Sequence, residues 1–304
     1  MASILQTAFE LGLISSLTVL ALFLSYTMLN VCDLSTDGCF TLGAAVGAVV
    51  AISGHPFLSL PAAMGAGVLS GFITSLLQTK MGIDSLLSGI IVNTGLYSIN
   101  IAVMGGASLL NMNKTVTVFS MMKELLRNTP LASMYKTVIA LIAVVLVILF
   151  LSFFLKTRLG LAIRATGNNP AMVRSSSVNP AFTTIVGLCI SNSFTALSGC
   201  LLAQSQKSVN IDIGSGIVTI SLASLLIGRA FAGKGSIPGR AVGAVLGAII
   251  FRLVYAVALR FHMPAFMLKL VSSVIVIIAI AGPYLKSRYP ELHRRLTHKT
   301  GKGT

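Results

Sequence analysis

The stretch from Gly228 to Gly235, GRAFAGKG, is one residue short of a phosphate-binding loop. Such a loop cradles phosphates with backbone amides, follows a β-strand, and needs Ser or Thr directly after its Lys to hold magnesium. Here Gly235 follows Lys234, and an apolar run precedes Gly228. The pattern argues against nucleotide binding, and the glycines read as a tight turn ahead of Pro238. No His-Glu-x-x-His motif, Ser-His-Asp pattern or carboxylate pair lies inside an apolar run. His55, His262, His293 and His298 fall in loops or in the tail. Cys32, Cys39, Cys189 and Cys200 show no C-x-x-C spacing and no neighbouring His cluster, so they read as small buried hydrophobes rather than metal ligands or a disulfide framework. No catalytic residue, metal site or cofactor is expected in this chain. Its 7 acidic residues leave little from which to build a proton relay or an ion site. Energy for any transport would have to enter from another subunit.

The polar residues that remain lie at or near membrane depth. A charge near the bilayer centre costs roughly 2.5–3.5 kcal/mol on insertion scales, so Asp33 and Asp37 need a reason to be there. Two readings are open: Asp33 or Ser35 caps the start of a short helix, or the carboxylate touches a solute directly. Asn30, Asn93, Asn100, Ser191, Asn192, Ser193, Thr219 and Ser221 are uncharged. They either line a pore or hydrogen-bond between helices. Asn30, Asp33, Ser35, Asn93, Asn100, Asn192, Thr219 and Ser221 form the candidate translocation pathway. Arg252 and Lys269 lie about two turns or less from the ends of their runs and read as snorkelling side chains.

One polar stretch stands between two apolar runs: RATGNNPAMVRSSSVNP, residues 164–180. Asn169 is a helix cap, Pro170 suits the first helical position, and Pro180 stops the element before the next run. The spacing predicts a helix over 170–178, about two turns and too short to be stable alone. It either rests on anionic lipid through Arg164 and Arg174 or plugs a groove on a cytoplasmic partner.

These residues are positioned by a chain that is 55% hydrophobic and 10% charged over 304 residues, with a mean hydropathy of +0.92. A soluble domain carries roughly 25% charged residues, so only a membrane protein fits. Nine apolar segments are predicted: 5–29, 40–53, 60–78, 86–104, 137–155, 182–203, 217–227, 241–259 and 266–284. A crossing helix needs about 20 residues, which makes the second and seventh short or discontinuous. The net charge is +15, but the basic residues sit in breaks and in the tail rather than in a nucleic-acid-binding patch. Most Lys and Arg fall on one side if nine segments cross, which puts the C-terminus in the cytoplasm and the N-terminus outside. If 40–53 only re-enters, the N-terminus lies inside. MASILQTAFELG has no basic residue before its apolar run and reads as a retained span rather than a cleaved signal. The organisation expected is one transmembrane domain, 1–285, with an outer loop at 105–136 and a cytoplasmic loop at 156–181. A basic cytoplasmic tail follows at 286–304. Within the outer loop, 119–127 has helical apolar spacing and reads as an amphipathic helix, either a passive cap or a docking surface.

Two stretches look alike. DLSTDGCFTLGAA from Asp33 leads through Pro61 to MGAGVLSGFI, and DIGSGIVTISLAS from Asp212 leads through Pro238 to AVGAVLGAII. Each ends on a small-xxx-small pair, Gly67/Gly71 and Gly243/Gly247. The two units begin on opposite sides of the membrane in the topology above, as in an inverted-topology repeat with a transport path between its halves.

DLSTDGCFTLGAA, then TRLGLAIRATGNNPAMVRSSSVN, then GRAFAGKGSIPGRAVGAVLGAII resembles the permease subunit of ABC importers in the branched-chain amino acid and ribose permease family. The runs occur in the family's order and extend over about residues 10–285, the middle run being the most specific. The resemblance implies an all-α polytopic permease of the bacterial cytoplasmic membrane. It implies a pore formed with a second copy of the chain, two separate ATP-binding subunits below and a solute-binding protein outside. It also implies that Arg164, Gly167, Asn168, Asn169, Pro170, Ala171, Met172, Arg174 and Ser177 form the coupling segment that docks on the ATPase. The family favours Ala and Gly there, so Arg174 and the Ser175–Ser177 run mark a contact particular to this system. The extra N-terminal span of ribose-type permeases is not expected here. The family imports amino acids, sugars and nucleosides. Neutral, small pore candidates without a charged clamp favour an amino acid, with specificity mainly in the binding protein. The alternatives are the same type of importer for a sugar or nucleoside, or an ion-driven carrier working without an ATPase.

Overall fold

The computed structural model describes residues 2–127, 134–232, 235–260, 270, 273–277 and 281. The apolar runs fold as helices because in lipid every backbone amide and carbonyl must be paired within its own segment. The first run forms α1 (Ala2–Leu22), which continues into a wider π turn, Phe23–Met28. Next come α2 (Thr36–Ile52), α3 (Ser59–Thr79) and α4 (Ser85–Val103). A three-residue strand β1 (Leu109–Asn111) and the short α5 (Val118–Leu125) occupy the connection between α4 and α6. Then follow α6 (Tyr135–Phe154), α7 (Arg158–Asn168), α8 (Pro170–Ser175) and the longest helix, α9 (Pro180–Gln206). Strand β2 (Ser208–Asn210) leads through a 3-10 turn, Ile211–Gly214, into α10 (Ile217–Ala232) and α11 (Ile237–Arg260).

Among the described residues, 7 helices are long and apolar enough to cross a membrane, and α2 is a shorter apolar one. Eight of the nine predicted runs are therefore helices. The ninth, 266–284, lies largely outside the described residues, as do Lys269 and the tail at 286–304.

Contacts are swapped between the two halves. Helix α9 packs chiefly on α3 and α2, while α1 packs chiefly on α11. The two central helices also meet each other, joined where the Ser191 and Ser198 hydroxyls on α9 donate to the Ala21 and Ile14 carbonyls of α1 at 2.8 and 2.7 Å. Gly67 and Gly71 let α3 approach α9 so closely that a Cβ at either place would run into the Asn192 or Leu188 carbonyl. In the second unit the glycine pair serves a different contact. A Cβ at Gly247 would strike Ser224 and Gly228 of α10. Gly228 is thus a packing residue inside a helix, and the predicted turn there begins no earlier than the end of α10 at Ala232.

The ends of α4 and α9 carry an element the sequence did not announce. Strands β1 and β2 pair antiparallel, Leu109 with Asn210 and Asn111 with Ser208. The amphipathic segment folds as α5, started by a Thr117–Ser120 capping box. Its Val118 amide donates to the buried Gln204 Oε1 at 2.9 Å, which pins α5 to the end of α9. Arg252 does not snorkel. It turns inward, and its Nε and Nη2 donate to Ser15 Oγ on α1 at 3.1 and 2.8 Å. A guanidinium that finds a partner across a tight helix pair has less to gain by reaching for the interface.

Candidate functional site

Helices α2 and α10 both begin in the middle of the bundle. Cys39, Gly43 and Gly47 of α2 meet Asn192, Ala196 and Cys200 of α9 in turn, so the two helices run parallel. The first turn of α2 therefore sits level with the midpoint of α9. Helix α10 starts beside it, after a break at Gly216, whose φ of +82° suits glycine and strains other residues. Each of the two short predicted runs is one unbroken helix that starts after a turn, and the free amides that open α10 lie against the first turn of α2.

Two carboxylates lie at these helix starts. Asp33 Oδ1 accepts from the Ser35 amide and hydroxyl at 2.8 and 2.6 Å, and its Oδ2 accepts from Asn192 Nδ2 at 2.8 Å. Thr74 on α3 donates to Ser35 Oγ at 3.2 Å. Asp33, Ser35 and Asn192 are each at most 1% exposed. They form one buried knot joining the lead-in to α2 with α3 and α9. Asp33 thus bonds the residue just ahead of α2, whose first amides receive no side-chain cap from Ser35. Asp37, in the first turn of α2, reaches the other helix. Its Oδ2 accepts from the Gly216 amide at 2.9 Å and its Oδ1 from the Val218 amide at 2.8 Å. A carboxylate at a helix N-terminus also meets the positive end of the helix dipole. Asp37 is thus a cap supplied from a distant part of the chain.

Beside this crossing is a polar cavity of about 430 Å³ between α4, the start of α2 and the turn before α10. Asn93 and Asn100 line it with Asp37. Asn100 donates from Nδ2 to the Gly38 carbonyl at 3.1 Å. Three of the pathway candidates lie elsewhere. Asn30 is exposed in a left-handed turn (φ 58°) between α1 and α2, a conformation Asn tolerates, and it takes no part in the knot or the cavity lining. Thr219 is exposed and Ser221 buried on α10, and neither lines the cavity. Ser191 and Ser193 spend their hydroxyls on backbone carbonyls.

At the opposite end of α9 the polar stretch forms two helices rather than one. Helix α7 covers Arg158–Asn168, started by Thr157, whose hydroxyl accepts from the Gly160 amide at 3.3 Å. Asn169 then caps α8, its Oδ1 accepting from the Met172 amide at 3.1 Å, with Pro170 in the first turn. Helix α8 ends at Ser175 rather than 178, and Ser177 turns left-handed at φ 60°. Val173 is buried and anchors α8, while Asn168, Pro170, Ala171, Arg174 and Ser177 are exposed. Met172 is 67% exposed at the tip. Gly167 lies directly under the Met28 carbonyl and Leu29, with no room for a Cβ. Arg164 is half-buried, and the Thr166 and Thr183 hydroxyls bond at 2.8 Å to tie α7 to α9. The nine coupling candidates therefore fall on one hairpin, whose inner side touches the turn that leads to Asp33.

Residues 4–280 match the family described as branched-chain amino acid transport system, permease component. The chain is 31% identical to the tyrosine transport system permease protein of Clostridioides difficile over 95% of its own length and 94% of that protein's. It is 32% identical to an uncharacterized protein of Rickettsia prowazekii over 75% and 77% of the two chains. With a nucleoside ABC transporter permease protein of Lactococcus lactis it shares 24% identity over 75% and 74%. No solved structure matches it.

Proposed function

Because the chain belongs to the branched-chain amino acid transport system permease family and is a multi-pass membrane permease, we propose that it forms the solute pathway of an ATP-driven importer for an amino acid. ATP hydrolysis belongs to two separate cytoplasmic subunits, and this chain needs no catalytic residue or cofactor of its own. A second copy completes the pore and a solute-binding protein delivers from outside. The chain lies in the bacterial cytoplasmic membrane with its C-terminus inside.

The observation that carries this reading is the α7–α8 hairpin. A capped two-turn helix presents Met172 and Arg174 outward, and the same hairpin seats Gly167 against Met28 and Leu29. Only three residues separate Leu29 from Asp33, which bonds Ser35 at the start of α2. Movement of a docked ATPase would therefore reach the mid-depth knot through a short, packed path. The full-length similarity to a tyrosine permease supports an amino acid as the solute. A nucleoside is the second reading, favoured by the 24% identical relative.

Native mass spectrometry of the purified complex tests the assembly. Two copies of this chain with two ATPase subunits are expected. A lone chain that moves solute down an ion gradient would establish a secondary carrier instead.

A further inference from the structure

We propose that the cavity beside α4 is a solute subsite that recognises a primary ammonium group, with Asp212 and Asn100 as its acceptors and Tyr97 as the wall for the side chain. The proposal deepens the reading of the chain as an amino acid importer and rests on it.

Two acidic residues, Asp37 and Asp212, line the cavity, and among its described lining residues none is basic. Asp37 is engaged by the amides that open α10, so the helix terminus offsets part of its charge. Asp212 is exposed. Its own amide is held by Asn210 Oδ1 at 3.1 Å, which fixes the turn and leaves the carboxylate at the cavity. Independently, Asn100 is 1% exposed and its Oδ1 has no hydrogen-bond partner, while its Nδ2 is committed to Gly38. An orphaned buried acceptor costs about 1–3 kcal/mol, a cost that a donor reaching it through the cavity wall would remove. The cavity thus offers acceptors and net negative charge, which suits a cation with several N–H groups and repels a carboxylate.

Helix α4 presents Asn93, Thr94, Tyr97 and Ser98 to this space. Tyr97 is 52% exposed. A polar stripe facing hydrocarbon is unfavourable, so this face belongs to a water-filled path. About 430 Å³ lies toward the small end of ligand pockets and accommodates a single amino acid. The Tyr97 ring supplies an apolar face to the solute's side chain and a π face to its ammonium.

The test uses the intact permease–ATPase complex in nanodiscs without its binding protein. Radiolabelled L-tyrosine and L-leucine are the probes, and tyramine, isoamylamine, 3-(4-hydroxyphenyl)propionate and 4-methylpentanoate the competitors. We expect the amines to compete and the acids not to, and Asp212→Asn to weaken binding at least tenfold. Tyr97→Leu serves as a second variant and should weaken tyrosine more than leucine. Binding unchanged in Asp212→Asn, acids competing as well as amines, or no binding by wild type would overturn the subsite. Uptake by the complete system is measured in parallel. If wild type takes up neither amino acid with ATP and binding protein, the importer reading itself fails. If uptake is intact and the competitors do not discriminate, only the subsite falls.

Discussion

Asp37 and Gly216 stand 179 residues apart in the chain, yet the carboxylate of one accepts the backbone amide of the other at 2.9 Å. The bond joins the first turn of α2 to the start of α10, the two helices that begin within the bundle. It lets each half of the fold complete the other. Removing it should cost about 1–2 kcal/mol, as for a strong helix cap. Asp37→Ala is expected to lower the thermal midpoint of the purified permease clearly, and Asp37→Asn, which keeps one acceptor, by less. Equal midpoints for wild type and Asp37→Ala would contradict this role.

The Asp33–Asn192 contact at 2.8 Å is the second joint. Asn192→Ala leaves a buried carboxylate oxygen without its donor, at about 1–3 kcal/mol. Because both residues belong to one buried network, the Asp33→Ala and Asn192→Ala effects should be non-additive. A double-mutant cycle by thermal denaturation should give a coupling of about 0.5–3 kcal/mol. Strict additivity would show that the two side chains act separately.

Much of this architecture was legible in the sequence, and the reasons for the gaps are specific. Apolar runs are long, local signals, so eight helices fall where hydropathy puts them. Asn169 and Pro170 are also local signals, and α8 starts where they place it. Helix α7 was missed because RLGLAIRATGN mixes two arginines and two glycines into a polar connection. Its glycines are there for contact: Gly160 fits against Leu155 and Gly167 against Met28. The β1–β2 pair joins three-residue strands from opposite ends of a long stretch of chain, too short to show alternation. The partner of Asp37 was not legible, since nothing near it in sequence points to Gly216. Asn30 was a candidate on polarity alone, and it sits in a left-handed turn outside the knot and the cavity lining. Asp212 and Tyr97 escaped notice because only the fold brings them beside Asn100.

The hairpin predicts two separable defects. Arg174→Glu and Met172→Ser alter the exposed face of α8 and should weaken ATPase docking. At least a tenfold loss of uptake is expected, with the permease's own melting unchanged. Co-purification of the ATPase measures the docking directly, and retention at wild-type levels would argue against α8 as the contact.

Gly167→Ala acts on the inner side of the same hairpin, where a Cβ meets the Met28 carbonyl. The ATPase should still co-purify and hydrolyse ATP, but uptake per ATP should fall several-fold. Unchanged uptake per ATP would show that motion passes to the bundle by another route.

The central claim is tested most directly in proteoliposomes. They hold this chain with its ATPase, and the binding protein is added outside with radiolabelled L-tyrosine or L-leucine. The account predicts accumulation that requires ATP on the ATPase side and stops without the binding protein. Accumulation by this chain alone, driven by a proton or sodium gradient and indifferent to ATP, would contradict it.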